Sequence, residues 1–252
     1  MFDIRNRHIL VTGASGGFGL HFARFLSNSG ARVTMAARRI EAMESAVAEI
    51  NGSGGKSQSV ALDVTVAEDI KTALSNAEAN FGPIHAVINN AGVTATRAAL
   101  DQDERDWDSV VDTNLKGVWL VAQHAARRMI VNEIKGSIVN IASILGGRVA
   151  GAVTPYAISK AGVIQMTKAL ALEWARYGIR VNALAPGYFA TDLNDEFFAS
   201  EAGAALIKRV PQRRLGRLEE LNGPLPLLIS DAGSFMTGSV VAVDGGHLVS
   251  GL

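Results

Sequence analysis

Short apolar runs alternate with longer amphipathic stretches along almost the whole chain, and that rhythm sharply limits the folds open to it. His8–Thr12, Arg32–Ala37, Ser59–Leu62, Ala86–Asn89, Ser137–Ala142, Arg180–Leu184 and Ser239–Val243 read as strands. Between them, Gly17–Ser29, about Glu41–Ile50, Ala67–Asn80, Trp107–Val131 and Pro155–Tyr177 read as helices. Repeated strand–helix–strand units imply a doubly wound parallel sheet of about seven strands, with helices on both faces. No Pro/Ser-rich linker, charge block, low-complexity tract or internal repeat interrupts the pattern. Residues 1–252 are therefore expected to form a single α/β domain, a length at which one core is readily built.

Charge and composition narrow the classes of partner. With 24 basic and 24 acidic side chains the chain has no formal net charge, so neither nucleic acid nor an anionic membrane is expected as partner. The absence of cysteine excludes disulfides and thiol catalysis and fits a reducing, cytoplasmic setting. The opening Met1–His8 lacks the basic-then-apolar order of a secretion signal. No apolar run reaches the length needed to cross a bilayer.

The first strand runs into a glycine-rich turn, Thr12-Gly13-Ala14-Ser15-Gly16-Gly17-Phe18-Gly19, which then opens a helix. Glycines allow a sharp turn and a close approach to phosphate, and the helix start offers free N–H groups and a positive dipole end. Gly13, Gly17 and Gly19 are spaced as G-x-x-x-G-x-G, a departure from the usual G-x-G-x-x-G fingerprint. The second strand ends Ala36-Ala37-Arg38-Arg39, with no carboxylate before Glu41. An NAD site places an acidic residue there for the ribose hydroxyl; a small residue followed by arginines leaves room and donors for a 2′-phosphate. NADP is expected over NAD, with Arg38 the better ligand of the two.

Farther along, Ser143 precedes Tyr156 by thirteen positions, and Lys160 follows one helical turn later in Thr154-Pro155-Tyr156-Ala157-Ile158-Ser159-Lys160. Pro155 can open a helix because its missing N–H has no helical partner there. Residues four apart share a face, so the phenol and the ammonium project together. A free tyrosine titrates near ~10, and a neighbouring cation is expected to lower that value towards use as a general acid or base.

Together these motifs resemble the short-chain dehydrogenase/reductase family over essentially the whole length. The matching segments are Thr12–Gly19, Asp63, Asn89-Asn90-Ala91-Gly92, Asn114 in Asn114-Leu115-Lys116-Gly117, Ser143, Tyr156, Lys160, and Pro186-Gly187 with Thr191. The resemblance implies a Rossmann-like fold and hydride transfer between a nicotinamide and a secondary alcohol or ketone. It implies that Tyr156 exchanges the proton and Ser143 holds the substrate oxygen. Lys160 would bind the nicotinamide ribose and favour the tyrosinate, and Asn114 would hold a water linking Lys160 to solvent. For the cofactor it implies Gly13, Gly17, Phe18 and Gly19 along the turn, with Ser15 adding a hydroxyl at the 2′-phosphate beside Arg38 and Arg39. Asp63 with Val64 would meet the adenine, Asn90, Ala91 and Gly92 would pass close to the cofactor, and Pro186, Gly187 and Thr191 would shape the nicotinamide pocket.

The substrate is less legible. Ile144, Leu145, Arg148 and Val149 after the serine, and Tyr188, Phe189, Leu193, Phe197 and Phe198 after Gly187, form a mainly apolar set that suggests a ketone or alcohol with apolar substituents. Arg148 reads as a solvent-facing loop residue, the alternative being that it meets an acidic group of the substrate. Arg127 and Arg128 offer a basic cluster for an acyl-carrier substrate, although Leu172 stands where some such reductases carry a basic residue. The long helix carries Ile158, Val163, Ile164, Met166, Leu170, Leu172 and Trp174 around much of its circumference, and Val241–Leu252 is mostly apolar. A helix apolar on several faces must be buried on several faces, one on the sheet and another on a second subunit; the family resemblance implies that the assembly is a homotetramer, formed through helices here and through the C-terminal strand. The alternatives are an epimerase or dehydratase that recycles its cofactor, and a non-catalytic NADP sensor or scaffold.

Overall fold

The computed structural model describes residues 2–191 and 195–250. Seven strands form one parallel sheet: β1 (His8–Thr12), β2 (Arg32–Ala37), β3 (Lys56–Ala61), β4 (Ala86–Asn89), β5 (Ser137–Ile141), β6 (Arg180–Pro186) and β7 (Val240–Val243). Their order is β3-β2-β1-β4-β5-β6-β7, and every pairing is parallel. The expected Rossmann-like α/β sheet is present. The winding reverses direction between β1 and β4, the place where such sheets open a crevice at the strands' carboxyl ends.

Helices α1 (Gly17–Asn28), α2 (Glu41–Gly52), α3 (Ala67–Phe81), α4 (Glu104–Val111), α5 (Val118–Val131) and α6 (Thr154–Trp174) connect the strands in turn. Successive side chains in a strand point to opposite faces, and both faces here are covered. Ile9 and Val11 pack with Phe22 and Leu26 of α1 and with Leu225 and Leu228, while Leu10 between them packs with Ile70, Val121 and Met129 on the other side. Continuous apolar strands such as β1, buried at all five positions, follow directly from this three-layer plan.

Several boundaries depart from expectation for physical reasons. The helix expected from Trp107 starts at Glu104, because the Asp103 carboxylate accepts from the Asp106 N–H while the Asp106 side chain reaches back to the Asp103 N–H. It is not one continuous α-helix: Asp112–Gly117 is a π-helical segment between α4 and α5. Strand β3 begins at Lys56 rather than Ser59, since an edge strand can carry polar residues such as Lys56 and Gln58 that blur the apolar signal. Three short helices, α7 (Asp195–Ala199), α8 (Glu201–Ile207) and α9 (Pro224–Ile229), have no counterpart in the sequence reading. Each is too short for a 3.6-residue periodicity to register. Among the described residues, no helix is long and apolar enough to cross a membrane.

Candidate active site

The parallel register brings the carboxyl ends of β1, β4, β5 and β6 to one edge, through pairs such as Val11 with Ile88, Asn89 with Asn140 and Ile141 with Leu184. Across that edge lies a groove of about 890 Å³. Of the cofactor positions anticipated from sequence, Gly13, Ser15, Gly17, Phe18, Arg38, Arg39, Asp63, Val64, Asn90, Ala91, Gly92, Gly187 and Thr191 line it, together with Tyr156. Gly19, Pro186, Asn114, Ser143 and Lys160 stand outside that lining. Leu193 lies outside the described residues.

The glycine turn is built by close approach. Gly13 has φ +64°, and a Cβ there would lie 2.8 Å from the Ala91 Cα. A Cβ on Gly19 would collide with the Gly13 carbonyl oxygen and sit 2.6 Å from Asn90 Nδ2, so this glycine serves helix–strand packing rather than a ligand. Gly17, at φ +52°, has open space where its Cβ would stand. Thr12 was quoted only as part of the motif, yet its Oγ1 accepts from the backbone N–H of both Asn90 and Ala91 at 3.0 Å. The Asn90 amide donates to the carbonyls of Thr12 (3.0 Å) and Gly13 (3.2 Å), which locks the two turns together.

At the other end of the groove the donor set suits a phosphate. Arg38 and Arg39 are exposed, and neither makes a hydrogen bond or salt bridge among the described residues. Asp63 Oδ1 accepts from the Thr65 N–H (2.9 Å) and hydroxyl (2.7 Å). Burial pushes this carboxyl up, but the Thr65 hydrogen bonds and the Arg38 charge bring it below its ordinary value. A dinucleotide fits this cleft: glycine backbone at its middle, guanidinium donors and an ionised carboxylate at one end, a phenol at the other.

Tyr156 and Lys160 lie on one face of α6, which Pro155 opens as expected, with Lys160 Nζ 5.5 Å from the tyrosine ring centroid. Lys160 is 4% exposed and donates to the Ile141 carbonyl at 2.8 Å; burial lowers its ammonium to about 8. Tyr156 departs from expectation. Burial raises its phenol above the usual value, outweighing the lowering effect of the Ser143 hydroxyl beside it, and the nearby Tyr188 adds to the rise. The phenol is thus held protonated, as a proton donor must be. Ser143 both caps its own turn, accepting from the Leu145 N–H at 3.1 Å, and touches Tyr156.

The π-helical segment aims Asn114 inward, where it is fully buried. Its Oδ1 accepts from Val93 N and its Nδ2 donates to Val93 O, both at 2.8 Å, with a further donation to Ser159 Oγ at 3.2 Å. Both amide protons are therefore committed, and only one Oδ1 lone pair is left for the water expected of it. Ser159, which sequence reasoning passed over, donates to the Tyr156 carbonyl at 2.7 Å and so ties Asn114 to the turn that carries the phenol. The i, i+3 spacing of Tyr156 and Ser159 was its only sequence signal. Arg148 is not a free loop residue: its Nη1 donates to the His247 carbonyl and, at 2.6 Å, to Ser250 Oγ.

A crevice for a dinucleotide lined by a half-buried tyrosine, with a buried serine and lysine beside it, is the arrangement of a nicotinamide-dependent oxidoreductase. The chain belongs to the short-chain dehydrogenase/reductase family. A family model described as enoyl-(acyl carrier protein) reductase matches residues 13–247. Gluconate 5-dehydrogenase of Gluconobacter oxydans is 39% identical over 252 residues, covering 99% of this chain and 98% of that relative. A 3-oxoacyl-[acyl-carrier-protein] reductase of Thermotoga maritima is 38% identical over 240 residues, covering 95% and 97% respectively. The crystal structure of a gluconate 5-dehydrogenase from Burkholderia cenocepacia J2315, in complex with NADP and tartrate, superposes with a TM-score of 0.95 at 35% identity, covering 99% and 98% of the two chains.

Proposed function

We propose that this protein is an NADP(H)-preferring oxidoreductase that interconverts a ketone and a secondary alcohol on a polyhydroxylated acid of the gluconate type, with one domain carrying both cofactor and catalytic groups. The observation that carries the reading is that Tyr156, with Lys160 and Ser143 beside it, lines the same groove as the exposed guanidinium groups of Arg38 and Arg39. Arg38, Arg39 and Ser15 would hold the 2′-phosphate, the Gly13–Phe18 turn the pyrophosphate, and Asp63 and Val64 the adenine. When bound, the nicotinamide supplies or accepts the hydride.

In the reduction direction the Ser143 hydroxyl orients the substrate oxygen and Tyr156 Oη delivers its proton to that oxygen as charge develops. Lys160, still charged below about pH 8, stabilises the tyrosinate left behind and hydrogen-bonds the nicotinamide ribose. Asn114 acts as a positioning residue, fastening the Val93 backbone to α6. Gly92 passes close to both groups, since a Cβ there would stand 3.2 Å from Asn114 Oδ1 and 3.7 Å from Lys160 Nζ.

Between the two substrate types met among the relatives, the sugar acid is supported better. Carrier-protein docking calls for free basic residues, but Arg128 Nε is bound to Glu78 at 2.7 Å and its Nη1 to Ser75, and Leu172 is 84% exposed as an apolar surface residue. Assembly as a homotetramer fits the exposure of Ile158 and Leu172 on α6, of Trp107 on α4 and of Trp119 on α5. Initial rates with NADPH test the reading: 5-keto-D-gluconate is expected to turn over faster than acetoacetyl-coenzyme A. Tyr156→Phe is expected to lose at least about a thousandfold in kcat. The reverse substrate preference points to 3-oxoacyl reduction. A wild-type rate no greater than that of Tyr156→Phe overturns the catalytic assignment.

A further inference from the structure

The C-terminal turn gathers three loops at the reaction end of the groove. Gly187 passes so near it that a Cβ would lie 2.7 Å from the Asp244 Cα, and the Gly187 N–H donates to the Val243 carbonyl at 2.9 Å. Gln212 N donates to the Gly245 carbonyl at 3.2 Å. Arg148, from the loop after β5, donates to the His247 carbonyl and to Ser250 Oγ. The Asp244 carboxylate stiffens the turn by accepting from Gly246 N (2.9 Å) and Leu248 N (2.5 Å).

This suture places polar groups where sequence suggested an apolar pocket. Tyr188 lines the groove with Tyr156, and no hydrogen bond engages its hydroxyl among the described residues. Its ring is held between the His247 imidazole at 5.4 Å and Phe198 at 5.9 Å. His247 is 7% exposed, and its buried Nδ1 has no hydrogen-bond partner in the described protein. Among the described residues Arg148 uses Nη1 alone for both of its bonds, leaving Nε and Nη2 without a partner. Tyr188 carries an unengaged hydroxyl on the groove wall, and leaving such a polar group unpaired against a ligand costs free energy that an apolar substrate cannot recover and a hydroxylated one can. A site built to bind a hydroxyl also discriminates strongly against analogues that lack it.

The geometry points to a polar substrate subsite centred on Tyr188 beside Tyr156 and backed by His247 and Arg148, which binds the hydroxyl and carboxylate groups of an aldonate. Tyr188 is its specificity-determining residue, His247 fixes the Tyr188 ring, and Arg148 supplies the charge for the carboxylate. The assignment deepens the gluconate-type reading above and rests on it for the identity of the probe.

Calorimetric titration of the NADP⁺-loaded protein with D-gluconate tests the subsite without turnover. Wild type is expected to bind, and Tyr188→Phe, which removes one oxygen, to weaken binding about tenfold, the loss typical of one hydrogen bond at a buried site. Arg148→Met is expected to weaken gluconate by a similar factor while leaving the uncharged analogue D-glucitol little affected. A thermal melt checks folding; should Arg148→Met release the C-terminal turn, Tyr188→Phe decides alone. Equal affinity of wild type and Tyr188→Phe for gluconate, or no binding by wild type, overturns the subsite. Binding with the expected losses but no oxidation of gluconate supports the subsite and overturns the redox assignment.

Discussion

Replacing Lys160 by methionine should make the protein more stable at neutral pH while abolishing most of its activity. The ammonium is 4% exposed, and its pKa falls from an ordinary 10.5 to about 8 because burial disfavours the charge. At ~1.4 kcal/mol per pH unit, that displacement corresponds to a destabilisation of about 3 kcal/mol. Between pH 8 and 10.5 the unfolded chain binds the proton that the folded chain has released, so stability rises with pH across that window. Below pH 8 the wild type bears the whole cost; near 10.5 it bears none. Methionine removes the charge but leaves the Ile141 carbonyl without its 2.8 Å donor, a loss of ~1–2 kcal/mol. The variant should therefore be about 1–2 kcal/mol more stable at pH 7, and the advantage should vanish and reverse by about pH 10. Urea unfolding of both proteins side by side at pH 7, 8, 9 and 10 reads the difference, and titrating groups common to both cancel. A stability difference that stays flat over this range would refute the reasoning. Retaining a lysine at such cost is the expected trade of stability for function.

Arg38→Ser should weaken NADPH binding by about tenfold or more with NADH changed less than twofold, read by fluorescence titration; equal effects on both coenzymes would remove Arg38 from the 2′-phosphate site. Gly19→Ala should destabilise the protein by ~1–3 kcal/mol, because the added methyl meets the Gly13 carbonyl and Asn90 Nδ2; an unchanged melting temperature contradicts this packing. Ser159→Ala removes the link between Asn114 and the Tyr156 carbonyl. It should lower kcat several-fold with KM nearly constant, and wild-type kcat would show that the link does not position the phenol.

Much of the architecture was readable because it is local. Apolar runs of strand length, a proline at the start of α6 and glycines where the β1–α1 turn needs positive φ each act within a few residues. Handedness of the βαβ units restricts which strand orders such elements can take, and the order β3-β2-β1-β4-β5-β6-β7 among them was set by tertiary packing. Tyr156 and Lys160 could be paired from their spacing alone, since a helix sets their relation. Helices α7 to α9 escaped notice because two turns or fewer leave no periodicity to read.

What the chain could not announce depends on contacts between distant segments. The upward displacement of Tyr156 reflects burial by the folded body, where sequence offered only the neighbouring lysine. The commitment of Asn114 arises from a π-helical segment facing Val93, 21 residues away. The engagement of Arg148 was equally illegible, because it meets His247 across 99 residues and His247 meets the Tyr188 ring. Residue type, spacing and turn chemistry determined the strands, the glycine turn and the pairing of Tyr156 with Lys160. Burial, pKa and the partners of Asn114 and Arg148 were decided by the tertiary structure, because desolvation and long-range hydrogen bonds exist only once the chain has closed on itself.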